Sequence, residues 1–273
     1  MRRLSAVRNL TLASALVWGA GGGLLAGCGT DPNAGKSDVL DRPEVTRSLL
    51  DAAAASEAQN DFGTAAGYYR NVYMRDPNNV RAAVGLMQSL RAMGALEPAR
   101  EVAEKAIAAK PNDPAIVGEV GKIRLADGQL DDAVTLLKRA SDLDPKDWKV
   151  RSALGVAYDR LGDSKKADEA YQAALKVSPE NPAILNNQAL SHAMADDLPG
   201  AREILQRAVA SPAADIRVRQ NLALIYALSG DMAKAEALTL RDLPPDAARE
   251  RLAYYRELAG RGQTKPPVQP NLP

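Results

Sequence analysis

Small and apolar side chains return along this chain at an interval of 34 residues. In the stretch that begins at Trp148, Leu154, Gly155 and Tyr158 hold places 7, 8 and 11, and Gly162, Ala167, Tyr171, Ala174 and Pro179 hold places 15, 20, 24, 27 and 32. Neighbouring stretches repeat the pattern: Ala65, Ala99, Ala133, Ala167 and Ala201 keep one register, Gly94, Gly128 and Gly162 another, and Pro77, Pro111, Pro145 and Pro179 a third. The pattern predicts pairs of helices. Gly155 and Ala167 let the two helices of a pair come close, Leu154, Tyr158 and Tyr171 fill the space around that contact, and glycine at place 15 makes the turn between them. Proline ends the second helix, since it lacks an N–H and clashes with the preceding turn. A single globular core has no reason to keep such a beat, so the period predicts an all-α solenoid of about six stacked helix pairs.

This arrangement resembles the tetratricopeptide pattern, which implies a right-handed superhelix. Five units are expected at 46–79, 80–113, 114–147, 148–181 and 182–214, with Pro212 arriving 33 residues after Pro179 instead of 34. A sixth, near 216–245, keeps Leu222, Ala223, Tyr226, Gly230 and Ala235 in register but meets Pro244-Pro245 early, so it reads as degenerate. Terminal units are often atypical, because one face meets water instead of a neighbour. Residues 246–260 are expected to form a helix that closes the stack, with Asp246 as its N-cap and Leu252, Tyr255 and Leu258 on one side. The tail 261–273 carries Gly, Pro and Gln with almost no apolar periodicity, and is expected to stay disordered.

The N-terminus departs from the repeat. Arg2, Arg3 and Arg8 precede an uncharged run from Leu10 to Leu25 that is too short and Gly-rich for a convincing membrane span and reads as an export signal. It closes on Leu25-Ala26-Gly27-Cys28, which resembles the bacterial lipobox, where a lipid is attached to the cysteine and the chain is cut before it. Cys28 is the single cysteine of the sequence, so it is the expected lipidation site and no internal disulfide can follow. Three acyl chains would anchor the protein stably, at about 0.8 kcal/mol per buried CH₂. Gly29 follows the cysteine where an Asp would favour inner-membrane retention in enteric-type bacteria, which points to the outer membrane. Residues 28–45 hold Thr, Asp, Pro, Asn, Gly, Lys and Ser and read as a flexible tether.

Charge and chemistry narrow the functions. Loss of the leader would change the balance from 35 basic against 34 acidic side chains to 32 against 34, a net charge near −2 that offers nucleic acid no electrostatic hold. His192 is the one histidine, and with a lipidated cysteine it cannot build a His/Cys metal site. It occupies place 11 of its unit, where Tyr158 and Tyr226 stand in others, and is expected to pack. No Gly-x-Ser-x-Gly elbow occurs, and the pairs Asp131-Asp132 and Asp196-Asp197 fall where carboxylates favour a helix N-terminus. No catalytic centre and no cofactor are expected beyond the covalent lipid on Cys28.

Binding has stronger candidates, because the first helices of successive units line the inner wall of such a stack. Asn186 and Asn187 recur one unit later as Gln220 and Asn221, with Arg217 and Arg219 close by; Arg151, Asp159 and Arg160 add a mixed polar section. Paired amides at this spacing suit the backbone of an extended peptide. The same amides would equally serve as caps or bridges between units.

The fifth and sixth units are more particular. Leu185-Asn186-Asn187-Gln188-Ala189-Leu190, Ile216-Arg217-Val218-Arg219-Gln220-Asn221-Leu222-Ala223-Leu224 and Arg241-Asp242-Leu243-Pro244-Pro245 resemble the tetratricopeptide lipoproteins of tight-adherence (Tad, or Flp pilus) assembly systems, the TadD family. The resemblance covers nearly the whole processed chain. It implies an outer-membrane lipoprotein facing the periplasm that assists type IVb pilus assembly, with a secretin or another assembly component as its protein partner. In the first unit, Ala53, Ser56 and Asn60 replace stronger consensus residues, so that unit is expected to act as a cap more than a binding element. A general periplasmic adaptor in envelope protein assembly or peptidoglycan synthesis is the alternative reading, and an enzyme subunit the third.

Overall fold

A computed structural model of the chain describes residues 43–260. The expected leader, Cys28, the tether as far as residue 42 and the tail 261–273 lie outside the described residues. Thirteen α-helices and no strand make up what is described. They are α1 (Pro43–Ala58), α2 (Phe62–Tyr73), α3 (Val80–Ala92), α4 (Leu96–Ala109), α5 (Pro114–Ala126), α6 (Leu130–Leu143) and α7 (Trp148–Arg160), followed by α8 (Ser164–Val177), α9 (Pro182–Met194), α10 (Leu198–Ala210), α11 (Ile216–Leu228), α12 (Met232–Asp242) and α13 (Pro245–Gly260).

Helix starts hold the 34-residue interval from α2 through α12. Pro212 comes a residue early but lies in the loop before Ile216, where one residue is absorbed without moving the helix. The starts are set by polar caps. Asn79, Asp113, Asp147, Asn181 and Asp215 each accept a backbone N–H at the head of a first helix, and Asp61, Asp163, Asp197 and Asp231 do the same for second helices. Each such cap contributes about 1 kcal/mol. Between paired helices, Gly94, Gly128, Gly162 and Gly230 turn the chain with φ of 72° to 84°. Asn60 and Asp196 take the same place at φ 60° and 69°, a conformation that asparagine and aspartate tolerate better than other side chains.

The small residues do what their spacing predicts. Ala65, Ala99, Ala133, Ala167, Ala201 and Ala235 are completely buried between paired helices. Gly155 lies beneath the buried ring of Tyr171, and a Cβ there would come within 2.6 Å of it.

First helices touch one another in succession, α1 on α3, then α5, α7, α9, α11 and α13, whereas among the described residues no second helix touches another. The first helices therefore crowd together on the inner wall, and the second helices splay on the outer one.

Two boundaries differ from the sequence expectation. Helix α1 begins at Pro43, so residues 43–45 belong to the stack and not to the tether; proline suits the first helical position, where its missing N–H has no partner to lose. Asp246 does not cap the last helix: α13 starts at Pro245, the Pro244 carbonyl accepts from Ala248 N at 2.9 Å, and Asp246 stands in the first turn. The closing helix packs on both α11 and α12, burying Ala248, Leu252, Tyr255 and Leu258.

Candidate functional site

The inner wall encloses a cavity of about 590 Å³. Glu57, Asn60 and Phe62 of the first unit and Asp215 and Arg217 of the sixth border it together with Gln88, Arg91, Lys122 and Lys149 from the units between. The stack thus curves until its two ends share one space. The first unit, expected as a cap more than a binding element, contributes three of the bordering residues.

Cations outnumber carboxylates around this cavity, and Lys122 is held in an unusual setting. Its side chain is 3 % exposed, and its ammonium lies 3.7 Å from Glu119 Oε2. Burial pulls the Lys122 pKa below the usual lysine value, against the attraction of Glu119. Glu119 Oε1 accepts from Arg91 Nε at 2.7 Å, while Oε2 makes no hydrogen bond within the described residues.

The amides proposed from sequence divide into two groups. Asn186 and Asn187 are buried, 4 % and 2 % exposed, and present almost no surface to a ligand. They bridge units: Asn187 Nδ2 reaches Ser152 Oγ of α7 at 3.4 Å, Asn186 Nδ2 reaches Asn187 Oδ1 at 3.5 Å, and Asn221 Nδ2 donates to Asn186 Oδ1 at 2.7 Å. Only the last is a short bond. Arg151 and Arg160 do not border the cavity either. Arg151 ties α7 to its neighbours through Ser141 Oγ (3.3 Å) and the Ala173 carbonyl (3.0 Å). Arg160 donates to the Leu125 carbonyl in the last turn of α5 at 2.8 Å, and burial lowers its pKa. For these four residues the bridging alternative fits the geometry: polarity at an inner-wall register reads the same whether the side chain faces the cavity or the next unit.

Arg217, Gln220 and Asn221 are brought together. They border a second hollow of about 180 Å³ with Leu224, Arg251, Tyr254 and Tyr255, between α11 and α13. Arg217 borders both spaces. Arg251 and Tyr254 escaped the sequence reading because α13 was taken only as a cover; the adjacent tyrosines, one buried and the other 42 % exposed, were the available signal.

His192 is bonded more than packed. Its Nδ1 lies 2.8 Å from Asp197 Oδ2, and its Nε2 3.7 Å from Asp168 of the preceding pair. The bond from His192 and that from Gly200 N hold the Asp197 carboxyl below its usual pKa. Among the described residues no group of three His, Cys, Asp or Glu side chains could hold a metal ion.

A curved stack of helix pairs around a polar inner cavity defines a protein-interaction scaffold. Family models described as tetratricopeptide repeat match residues 57–118 and 152–216, and one described as TPR repeat matches 121–162. The chain belongs to the tetratricopeptide-repeat proteins. It is 37 % identical over 87 residues to the small glutamine-rich tetratricopeptide repeat-containing protein 2 of Mycosarcoma maydis, a match that covers 32 % of this chain and 25 % of that protein. Among solved structures it is similar to PilW, described as a widely conserved type IV pilus biogenesis factor. There the TM-score is 0.64 at 15 % identity, covering 78 % of this chain and 99 % of PilW. It is also similar to PilF of Pseudomonas aeruginosa, with a TM-score of 0.57 at 17 % identity over 77 % of this chain and 98 % of PilF. At these identities the likeness is one of fold.

Proposed function

We propose that this protein is an outer-membrane lipoprotein, anchored through Cys28 and facing the periplasm, that serves as a scaffold or pilotin-like factor in assembly of a Tad/Flp type IVb pilus. The cavity bordered by units one to four and by the start of the sixth carries the scaffold part of the reading, since it offers an extended partner segment a largely polar wall. Its partner is a secretin or another assembly component. The segments Arg219–Leu224 and Arg241–Pro245 support the Tad assignment, and a fold shared with PilW and PilF is compatible with it. The lipobox-like Leu25-Ala26-Gly27-Cys28 supports the anchor.

A clean deletion is the test. Loss of surface pili by electron microscopy and of secretin multimers by immunoblot is expected, along with co-purification of the chain with the secretin. Cys28→Ala is expected to shift the protein out of the outer-membrane fraction. Normal pili and multimers in the deletion strain would refute the pilus role and leave the cavity to a partner in another envelope process.

A further inference from the structure

Resting on the scaffold reading, we infer that the hollow between α11 and α13 is an anchoring subsite for an acidic side chain, flanked by an apolar one, in the partner's extended segment. At about 180 Å³ the hollow lies below the roughly 300–1,000 Å³ of small-molecule sites. It fits a side chain or two, not a cofactor.

Its lining sets the chemistry. No carboxylate lines it, while two guanidinium groups do. Arg217 engages Asp215 Oδ2 through Nε at 2.8 Å and Nη2 at 2.7 Å, which leaves Nη1 free on a side chain that is 67 % exposed. Arg251 lies against the Tyr255 hydroxyl. Two planar cations beside one another select a carboxylate over a neutral or basic group. The Gln220 side-chain amide carries both a donor and an acceptor for a peptide backbone. Leu224 and the rings of Tyr254 and Tyr255 supply the apolar wall. Basic and acidic side chains nearly balance over the chain, 35 against 34, so this pairing of cations is local and not the mark of a basic protein.

Direction follows from Arg217, which borders both the hollow and the large cavity. A segment anchored under α13 continues past Arg217 towards Lys149 and Lys122, where cations again outnumber carboxylates.

The test is fluorescence anisotropy with the full chain held in detergent. The probe is a fluorescein-labelled Glu-Leu-Asp-Phe-Glu-Leu peptide, compared with the charge-reversed Lys-Leu-Arg-Phe-Lys-Leu. The acidic peptide is expected to bind at least about tenfold more tightly, with Arg217→Glu and Arg251→Glu each weakening it about tenfold and Tyr254→Ala about fivefold. Arg256→Glu, on α13 but outside the hollow, is expected to change nothing, and unchanged circular-dichroism melting of the exposed-site variants secures their fold. Equal binding of the two peptides, insensitivity to Arg251→Glu, or equal binding of a single-stranded oligodeoxynucleotide of the same charge would overturn the inference. Any of these alongside lost pili in the deletion strain sinks the subsite and spares the scaffold. Charge-selective binding alongside normal pili supports the subsite and sinks the pilus role.

Discussion

Arg219 Nε donates to Asp242 Oδ2 at 2.7 Å, and this bond joins two of the three segments on which the family resemblance rests. Arg219 also reaches the Ala214 carbonyl at 3.1 Å, so one side chain ties the loop before α11 to the last residue of α12. Arg219→Ala would leave the nearly buried Asp242 with the longer, exposed contact to Arg241 at 3.3 Å. A loss of about 1–3 kcal/mol is expected, confined to the C-terminal end of the stack. Hydrogen exchange should show lost protection in α12 and α13, with α1 to α7 unchanged.

Acid should act through the same pair. Burial alone would raise the Asp242 carboxyl, but the hydrogen bonds and charges of Arg219 and, to a lesser degree, Arg241 together outweigh it and hold the pKa below its usual value. The stability this group contributes is therefore present above the ordinary carboxylate range and lost as pH falls through the depressed folded value. Asp159 has the opposite sign. Its burial raises the carboxyl despite hydrogen bonds from Ser191 Oγ and from the Tyr171 hydroxyl at 2.7 Å. Protonation favours the folded state there, so its contribution is fully present below the unfolded value and declines as pH rises through the raised folded one. Urea titrations at several pH values should show the stability of Asp159→Asn rising relative to the parent chain as pH climbs through that range.

Helix contact distance makes a paired prediction. Gly155→Ala drives a methyl to 2.6 Å from the fully buried Tyr171 ring and is expected to cost about 1–3 kcal/mol. Gly67→Ala, in the interior of α2 with nothing within 4 Å of the new methyl, is expected to stabilise by about 0.4–1 kcal/mol. Thermal melts of the two variants should move in opposite directions.

The buried amides separate structure from binding. Asn187→Ala removes a bridge between α7 and α9 and is expected to lower stability by about 1 kcal/mol while leaving affinity for the acidic peptide unchanged. Gln220→Ala should do the reverse, weakening the peptide with little effect on the melt. If Asn187→Ala abolished peptide binding without loss of stability, its assignment as a bridge would fail.

The fold was legible because each repeat residue acts locally. Gly162 turns, Ala167 disappears between helices and Asp163 caps, each for a reason that spacing alone exposes. The candidate site was legible in part. Asn186 and Asn221 differ by 35 positions and look alike as letters, yet the curvature of the stack buries the first and leaves the second at a rim. Arg251 and Tyr254 were missed because their place depends on α13 packing against α11 as well as α12, a contact that no repeat period marks.

The stack resembles a book bound along one edge. First helices form the binding, and each second helix is a page that rests on the first helix of the next unit while, among the described residues, no second helix touches another. A segment lying along the binding would meet the same register at every unit, because the helix starts repeat at 34 residues from α2 through α12.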